Sequence, residues 1–354
     1  MKKNILSIFV LLLVSLACRA LQAPVSTTTT IETGPASTAL PTVASTSPEL
    51  IATSTPHPAP PPVTCTDDSC LNACLQRINE ALPSTSYEPL SGLYAGDNID
   101  LNLVYYDVEN GQLGEAQTLY VPKDFKAFQE DTVAHQNIWT YASGLLPPDK
   151  LDWLTGFEIF SSSTYAGWVS PSGQDETDRS HWILGIDYAY AQNPVDLTYT
   201  LVHEYGHLIT LNTDQIPASD YYYGWQQNPG ICPQFLAPDG CSTPNSYINL
   251  FYQSFWKDIF NQWLEEVYKP HTDTPDEFYA LVTNFYNKHP DEFVRDYAAK
   301  NINEDLAESF MHFVLEPKPT GNGVIKQKIK FFYQFPELVE IRQTMIQSIC
   351  SYTQ

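Results

Sequence analysis

Pro194-Val195-Asp196-Leu197-Thr198-Tyr199-Thr200-Leu201-Val202-His203-Glu204-Tyr205-Gly206-His207-Leu208-Ile209-Thr210-Leu211 is the stretch around which the chain organises. Leu197, Leu201, Val202, Tyr205, Leu208 and Ile209 recur at helical spacing and form a broad apolar face, which predicts a helix packed into a core. His203 and His207 stand at i and i+4, one turn apart on one face, where both imidazoles reach a single Zn²⁺. Glu204 lies one position round. There it approaches a water without ligating, and zinc lowers that water's pKa towards ~7, which suits a carboxylate general base. The plainer alternative is a surface helix with two solvated histidines, but Val202, Tyr205 and Leu208 argue for burial.

A catalytic zinc site needs a third protein ligand and an open position. An extended pattern with a third histidine is missing, since positions 210 and 213 are Thr210 and Thr213. The best candidate is Glu304. In the stretch from Asp296 to Phe310, Glu304 and Glu308 fall one turn apart on an expected helix. Leu306, Phe310, Phe313 and Val314 supply its core side. Two carboxylates near a buried face require cations, and a zinc with its histidines supplies them. A capping box with Asn301 as N-cap also accounts for Glu304 but not for Glu308.

His203-Glu204-Tyr205-Gly206-His207 followed by a helix with Glu-x-x-x-Glu resembles the gluzincin metallopeptidases, whose third ligand is a glutamate on a second helix. The likeness is closest to the lethal-factor type, in which a tyrosine precedes that glutamate by seven residues, as Tyr297 precedes Glu304. The resemblance covers about Val195 to Leu315. It implies an α+β, zincin-like fold with a small N-terminal sheet, an active-site helix and a mainly helical C-terminal half. It further implies His203, His207 and Glu304 as Zn²⁺ ligands and Glu204 as base. Tyr297 would be the donor to the oxyanion, and Glu308 a carboxylate orienting one histidine. Simple packing is the other reading of Tyr297 in a chain with 22 tyrosines. His312, one turn beyond Glu308, fits a core or supporting histidine better than a fourth ligand. The activity implied is zinc-dependent hydrolysis of peptide bonds. A non-enzymatic surface module that keeps the same fold for binding or adhesion, and hydrolysis of a non-peptide amide, are the alternatives.

Around these helices the pattern is mixed. Leu101 to Tyr106 and Gln117 to Val121 flank Asn110-Gly111 and read as a hairpin. Phe125, Phe128, Val133, Ile138 and Tyr141 space a helix over 125–145, stopped by Pro147 and Pro148. Phe157 to Ser161 and Trp182 to Ile186 read as strands separated by a Gly/Ser/Pro-rich loop. Helices are expected at about 247–269, 275–288, 302–315 and 336–349. Tyr221 to Trp225 and the segment between Cys232 and Cys241 either flank the cleft or form a stapled surface loop.

The N-terminus differs in kind. Lys2 and Lys3 precede an uncharged apolar run from Ile5 to Ala17, suited to an export signal over residues 1–17. Ala17 then Cys18 resembles a bacterial lipobox, with Cys18 as the lipid attachment; plain secretion is the rival reading. From Ala23 to Thr64, 31 of 42 residues are Thr, Pro, Ser or Ala, so 18–64 is expected as an unstructured tether and 65–354 as one catalytic domain. Setting Cys18 aside leaves Cys65, Cys70, Cys74, Cys232, Cys241 and Cys350, enough for three disulfides in an exported chain. Cys232 and Cys241 are expected to pair locally and Cys350 to reach one of the other three. A zinc knuckle lacks a CxxC spacing and a fourth ligand.

The formal charge of −23 becomes −25 once Lys2 and Lys3 are removed with the signal, and it disfavours nucleic acid. The expected partners are a protein or peptide substrate and a membrane reached through the N-terminal lipid anchor, with the chain a monomer.

Overall fold

Leu101–Glu109 forms β1, and the chain reverses at Asn110 and Gly111, both at positive φ (51° and 72°). Asn-Gly is the pair that such a two-residue turn requires, because both central positions need left-handed backbone. The return arm is shorter than expected: β2 (Gln112–Leu113) and β3 (Gln117–Thr118) each pair with β1, and the strand does not run on to Val121. The computed structural model describes residues 69–74, 101–162, 164–172, 178–270, 272 and 274–352. The export signal, Cys18, the tether and Cys65 lie outside the described residues.

β4 (Leu154–Ser161) pairs antiparallel with β1 and parallel with β6 (Trp182–Asp187). Between them lies a strand the sequence reading took as loop: β5 (Gly167–Pro171) runs antiparallel to β6 at the sheet edge. Trp168 and Val169 supply its β-forming side chains, and Pro171 is tolerated because an edge strand needs fewer N–H donors. β7 (Leu236–Ala237) and β8 (Gly240–Cys241) make a separate small hairpin.

Helical residues 69–74 form α1, and α2 (Lys126–Glu130) and α3 (Thr132–Leu145) replace the single helix expected over 125–145. Asp131 breaks it by capping α3, its carboxylate accepting from Ala134 N at 3.0 Å. The break resets the helical phase, so Val133 is 70% exposed instead of lying in the core. α4 (Pro194–Leu211) starts at Asn193, whose side chain accepts from Val195 N and Asp196 N, with Pro194 in the first turn where no N–H is missed. It is buried on nearly every side, since the sheet covers one flank and α8 (Ile302–Leu315) the other.

The region 247–269 is not one helix. α5 (Tyr247–Phe251) and α6 (Phe260–Trp263) alternate with π-helical turns at Tyr252–Trp256 and Leu264–Tyr268. Around these wider turns two indoles reach the start of α8: Trp256 Nε1 donates to Asp305 Oδ2 at 2.7 Å and Trp263 Nε1 to the Lys300 carbonyl at 3.0 Å. α7 (Pro275–Lys288) and α10 (Pro336–Tyr352) lie where expected, while α9 (Val324–Phe331) was not anticipated. The main apolar core runs from Leu103 to Ile349, and a small second cluster of Leu71, Cys74, Ile346 and Cys350 joins α1 to α10, in a mixed α+β architecture.

Gly206 sets the spacing of α4 and α8. A Cβ there would meet Ala307 Cα at 3.1 Å and Phe310 Cδ1 at 3.3 Å, so any side chain larger than glycine's presses on the facing helix. Gly206→Val is expected to destabilise by about 1–3 kcal/mol through overpacking, read as a lowered thermal midpoint. An unchanged midpoint would contradict this close crossing.

Cys232 pairs with Cys241 as expected, and Cys350 in α10 pairs with Cys74 in α1. Cys70 is disulfide-bonded as well. These bridges are consistent with an extracellular, oxidising environment. Among the described residues no helix is long and apolar enough to cross a membrane.

Candidate metal centre

α4 carries His203 and His207 with both side chains fully buried and their Nε2 atoms 3.1 Å apart. The first turn of α8 delivers Glu304 to the same point: its Oε2 lies 3.3 Å from His203 Nε2 and 3.4 Å from His207 Nε2. The Asn301 side chain caps α8 by accepting from Asn303 N and Glu304 N. The N-cap is therefore the one anticipated, but the Glu304 side chain points to the histidines and does not close a capping box. These three residues form a buried group able to hold a metal ion.

Two of the three ligand candidates, His203 and Glu304, have a charged support. His203 Nδ1 lies 2.8 Å from Glu308 Oε1, and Arg295 grips the same carboxylate through Nε (2.5 Å) and Nη2 (2.6 Å). A carboxylate at Nδ1 favours the proton there and leaves Nε2 as the lone-pair donor. Burial works against the charged form of Glu308, but Arg295 and His203 overcome it and hold the carboxyl at about 2. Burial keeps His207 neutral, pushed down to about 4, and its Nδ1 has no partner. Burial also opposes the charge on Glu304, yet Lys300 and both histidines hold it well below the usual carboxylate range.

Glu204 is fully buried; no hydrogen bond of good geometry reaches its oxygens, although the Val169 N–H of β5 is close enough to favour its charged form. Burial pushes it up to about 8; His203, Lys300 and the Val169 backbone of β5 offset this in part, while Glu304 adds to it. Tyr297 is buried, and its hydroxyl donates to Glu304 Oε1 at 3.3 Å. His312 pairs with Glu316 at 2.8 Å near the far end of α8, separate from this group.

Two basic residues escaped the sequence reading. Lys300 donates from Nζ to Glu304 Oε1 at 2.9 Å and to the Tyr297 hydroxyl at 3.3 Å. Its place four residues before Glu304 was the available signal. Arg295 stands thirteen residues before Glu308, a separation with no local rule to reveal it.

A cavity of about 90 Å³ opens beside Glu304 and Lys300, walled by Val169 of β5, Tyr222, Trp225 and Asp239. Asp239 holds Arg179 there, with Nε at 2.6 Å and Nη2 closer still. Trp225 and Tyr222 thus line the cleft mouth, with Tyr222 still largely exposed like its neighbour Tyr221, which is not part of the lining. A roomier groove of about 370 Å³ between α3 and α10 is lined by neutral residues such as Thr140, Thr344 and Ser348 and holds no carboxylate or histidine.

No protein-family model, curated protein or solved structure matches the chain.

Proposed function

We propose that this protein is a zinc-dependent peptidase of zincin type, exported and held at the cell envelope through a lipid on Cys18. The observation that carries the reading is Glu204: a carboxylate wholly removed from water, with no side-chain partner and only the Val169 N–H to favour its charge, beside two histidines and a second carboxylate, Glu304. Such a group is costly to bury unless a cation or a reacting water completes its surroundings. A binding-only module has no need to retain it.

The ligand set fits zinc. Tetrahedral Zn²⁺ with ligands at about 2.0–2.1 Å requires donor atoms about 3.3–3.4 Å apart. The three donors here are separated by 3.1, 3.3 and 3.4 Å. When bound, zinc supplies Lewis acidity that polarises a carbonyl and makes water nucleophilic near neutral pH.

The remaining work falls to the chain's own groups. Glu204 takes a proton from the attacking water and passes it to the leaving amine. Tyr297 donates from its hydroxyl to the oxygen on which negative charge develops. Arg295 and Glu308 hold the His203 ring in one tautomer and orientation. β5, an edge strand whose Val169 lies near Glu204, is suited to align an extended peptide by main-chain pairing.

Metal analysis tests the ligand set. Purified wild type is expected to hold one zinc per chain and Glu304→Ala to lose most of it, read by plasma mass spectrometry after dialysis. Equal stoichiometry in the two proteins would sink the assignment.

A further inference from the structure

Glu304 uses its two oxygens differently. Oε2 faces both histidine Nε2 atoms, whereas Oε1 accepts from Lys300 Nζ at 2.9 Å and from the Tyr297 hydroxyl at 3.3 Å. Lys300 is nearly buried, with 14% of its side chain exposed. It closes the short turn Asp296–Lys300 that leads into α8, its carbonyl is held by Trp263, and its ammonium lies 5.1 Å from the Tyr297 ring. The side chain is therefore clamped from several elements.

The charge balance of the site is informative. Glu304 is matched by Lys300, and Glu308 is matched by Arg295. The one anionic ligand candidate is thus already neutralised before any cation arrives. A site arranged only to bind zinc tightly has no use for a buried ammonium on its carboxylate, because that charge opposes a divalent ion at short range in a low-dielectric interior. A free carboxylate also tends to offer a cation both oxygens. With Oε1 engaged in a charge-assisted hydrogen bond, turning it to the metal means breaking that bond.

We propose that Lys300 is a positioning residue that restricts Glu304 to one-oxygen ligation, keeping a coordination position open and fixing the Tyr297 hydroxyl, at the expense of metal affinity. This rests on the reading of His203, His207 and Glu304 as a zinc site. Its distinguishing consequence is a change in two readouts with opposite sense. Removing a residue that merely props the site weakens metal binding; removing Lys300 would strengthen it.

The test uses full-length wild type, Lys300→Met and Lys300→Arg, with zinc affinity measured by chelator competition and coordination read from the visible absorption of the cobalt(II)-substituted proteins. Lys300→Met is expected to bind zinc about tenfold more tightly, a change of the size that groups around a ligand usually make but of opposite sign to the usual loss. Its cobalt bands are expected to lose intensity as the coordination number rises above four, while turnover falls. Lys300→Arg is expected to resemble wild type in all three. Should the methionine variant fail to fold, Lys300→Gln removes the charge with similar bulk and is expected to shift affinity in the same direction. Weaker or unchanged zinc affinity in a folded, charge-free variant overturns the proposal while leaving the zinc site standing. Absence of zinc binding by wild type overturns both.

Discussion

Glu204→Gln is expected to keep the fold and the zinc content and to lower peptide hydrolysis by about 10²–10⁴-fold, the usual contribution of a positioned acid–base group. The substitution is close to isosteric. No hydrogen bond of good geometry holds either Glu204 oxygen, and the amide oxygen of glutamine can still face the Val169 N–H, so little structural contact is lost. The environment disfavours a charge there, since burial pushes the carboxyl up to about 8. A neutral amide suits that environment at least as well, so thermal stability should be unchanged or slightly higher. What the amide cannot do is accept the water's proton. Mass-spectrometric counting of cleaved peptides, alongside metal analysis and circular dichroism, separates these outcomes. Full activity in the variant would end the mechanism.

The second large effect concerns stability. Lys328→Ala should destabilise the domain by about 3–5 kcal/mol, because it strands a buried charge. Lys328 Nζ lies 2.6 Å from Asp305 Oδ2, and neither side chain has exposed surface. The ammonium also sits 4.3 Å over the Phe293 ring, and Trp256 adds a second donor to the same carboxylate oxygen. Without Lys328, burial would work unopposed by its strongest counterweight on Asp305, whose carboxyl is already pushed up. A loss of this size lowers the thermal midpoint by on the order of 10 °C. Removing both charges with Lys328→Met and Asp305→Leu should cost less than the two single changes summed, because no lone charge is left behind. Asp305 adjoins Glu304, so the single variant should also hold zinc less well. A midpoint within 2–3 °C of wild type, roughly the effect of 1 kcal/mol, would show that the pair is not coupled in this way.

The parts legible in the sequence are those governed by local periodicity. His203, Glu204 and His207 announce themselves because i,i+4 spacing within an apolar helix leaves few other arrangements. Glu304 was accessible for a related reason: Leu306, Phe310, Phe313 and Val314 fix the buried face of α8, and the two glutamates fall where cations are needed. The Asn110-Gly111 turn and the Cys232–Cys241 bridge are equally local.

What escaped depends on tertiary context. β5 is short and lies in a stretch whose Gly, Ser and Pro content reads as loop; its existence comes from pairing with β6. Val133 was misplaced because the Asp131 cap shifts the phase of a run that looks continuous in one dimension. α9 hides its inward face, since Lys328 is buried only by virtue of Asp305, twenty-three residues away. Arg295 likewise acquires meaning only once the fold brings it to Glu308. In each case a charged or small residue has its role set by a partner that no local pattern identifies.

Peptide-bond hydrolysis by this protein is proposed to depend on a metal held by His203, His207 and Glu304. One measurement addresses it directly: cleavage of a diverse peptide library by the folded domain as purified, after removal of metal by a chelator, and after zinc is restored. Cleavage is expected in the first state, to vanish in the second and to return in the third. Cleavage that survives complete metal removal, or none from zinc-loaded protein, would contradict it.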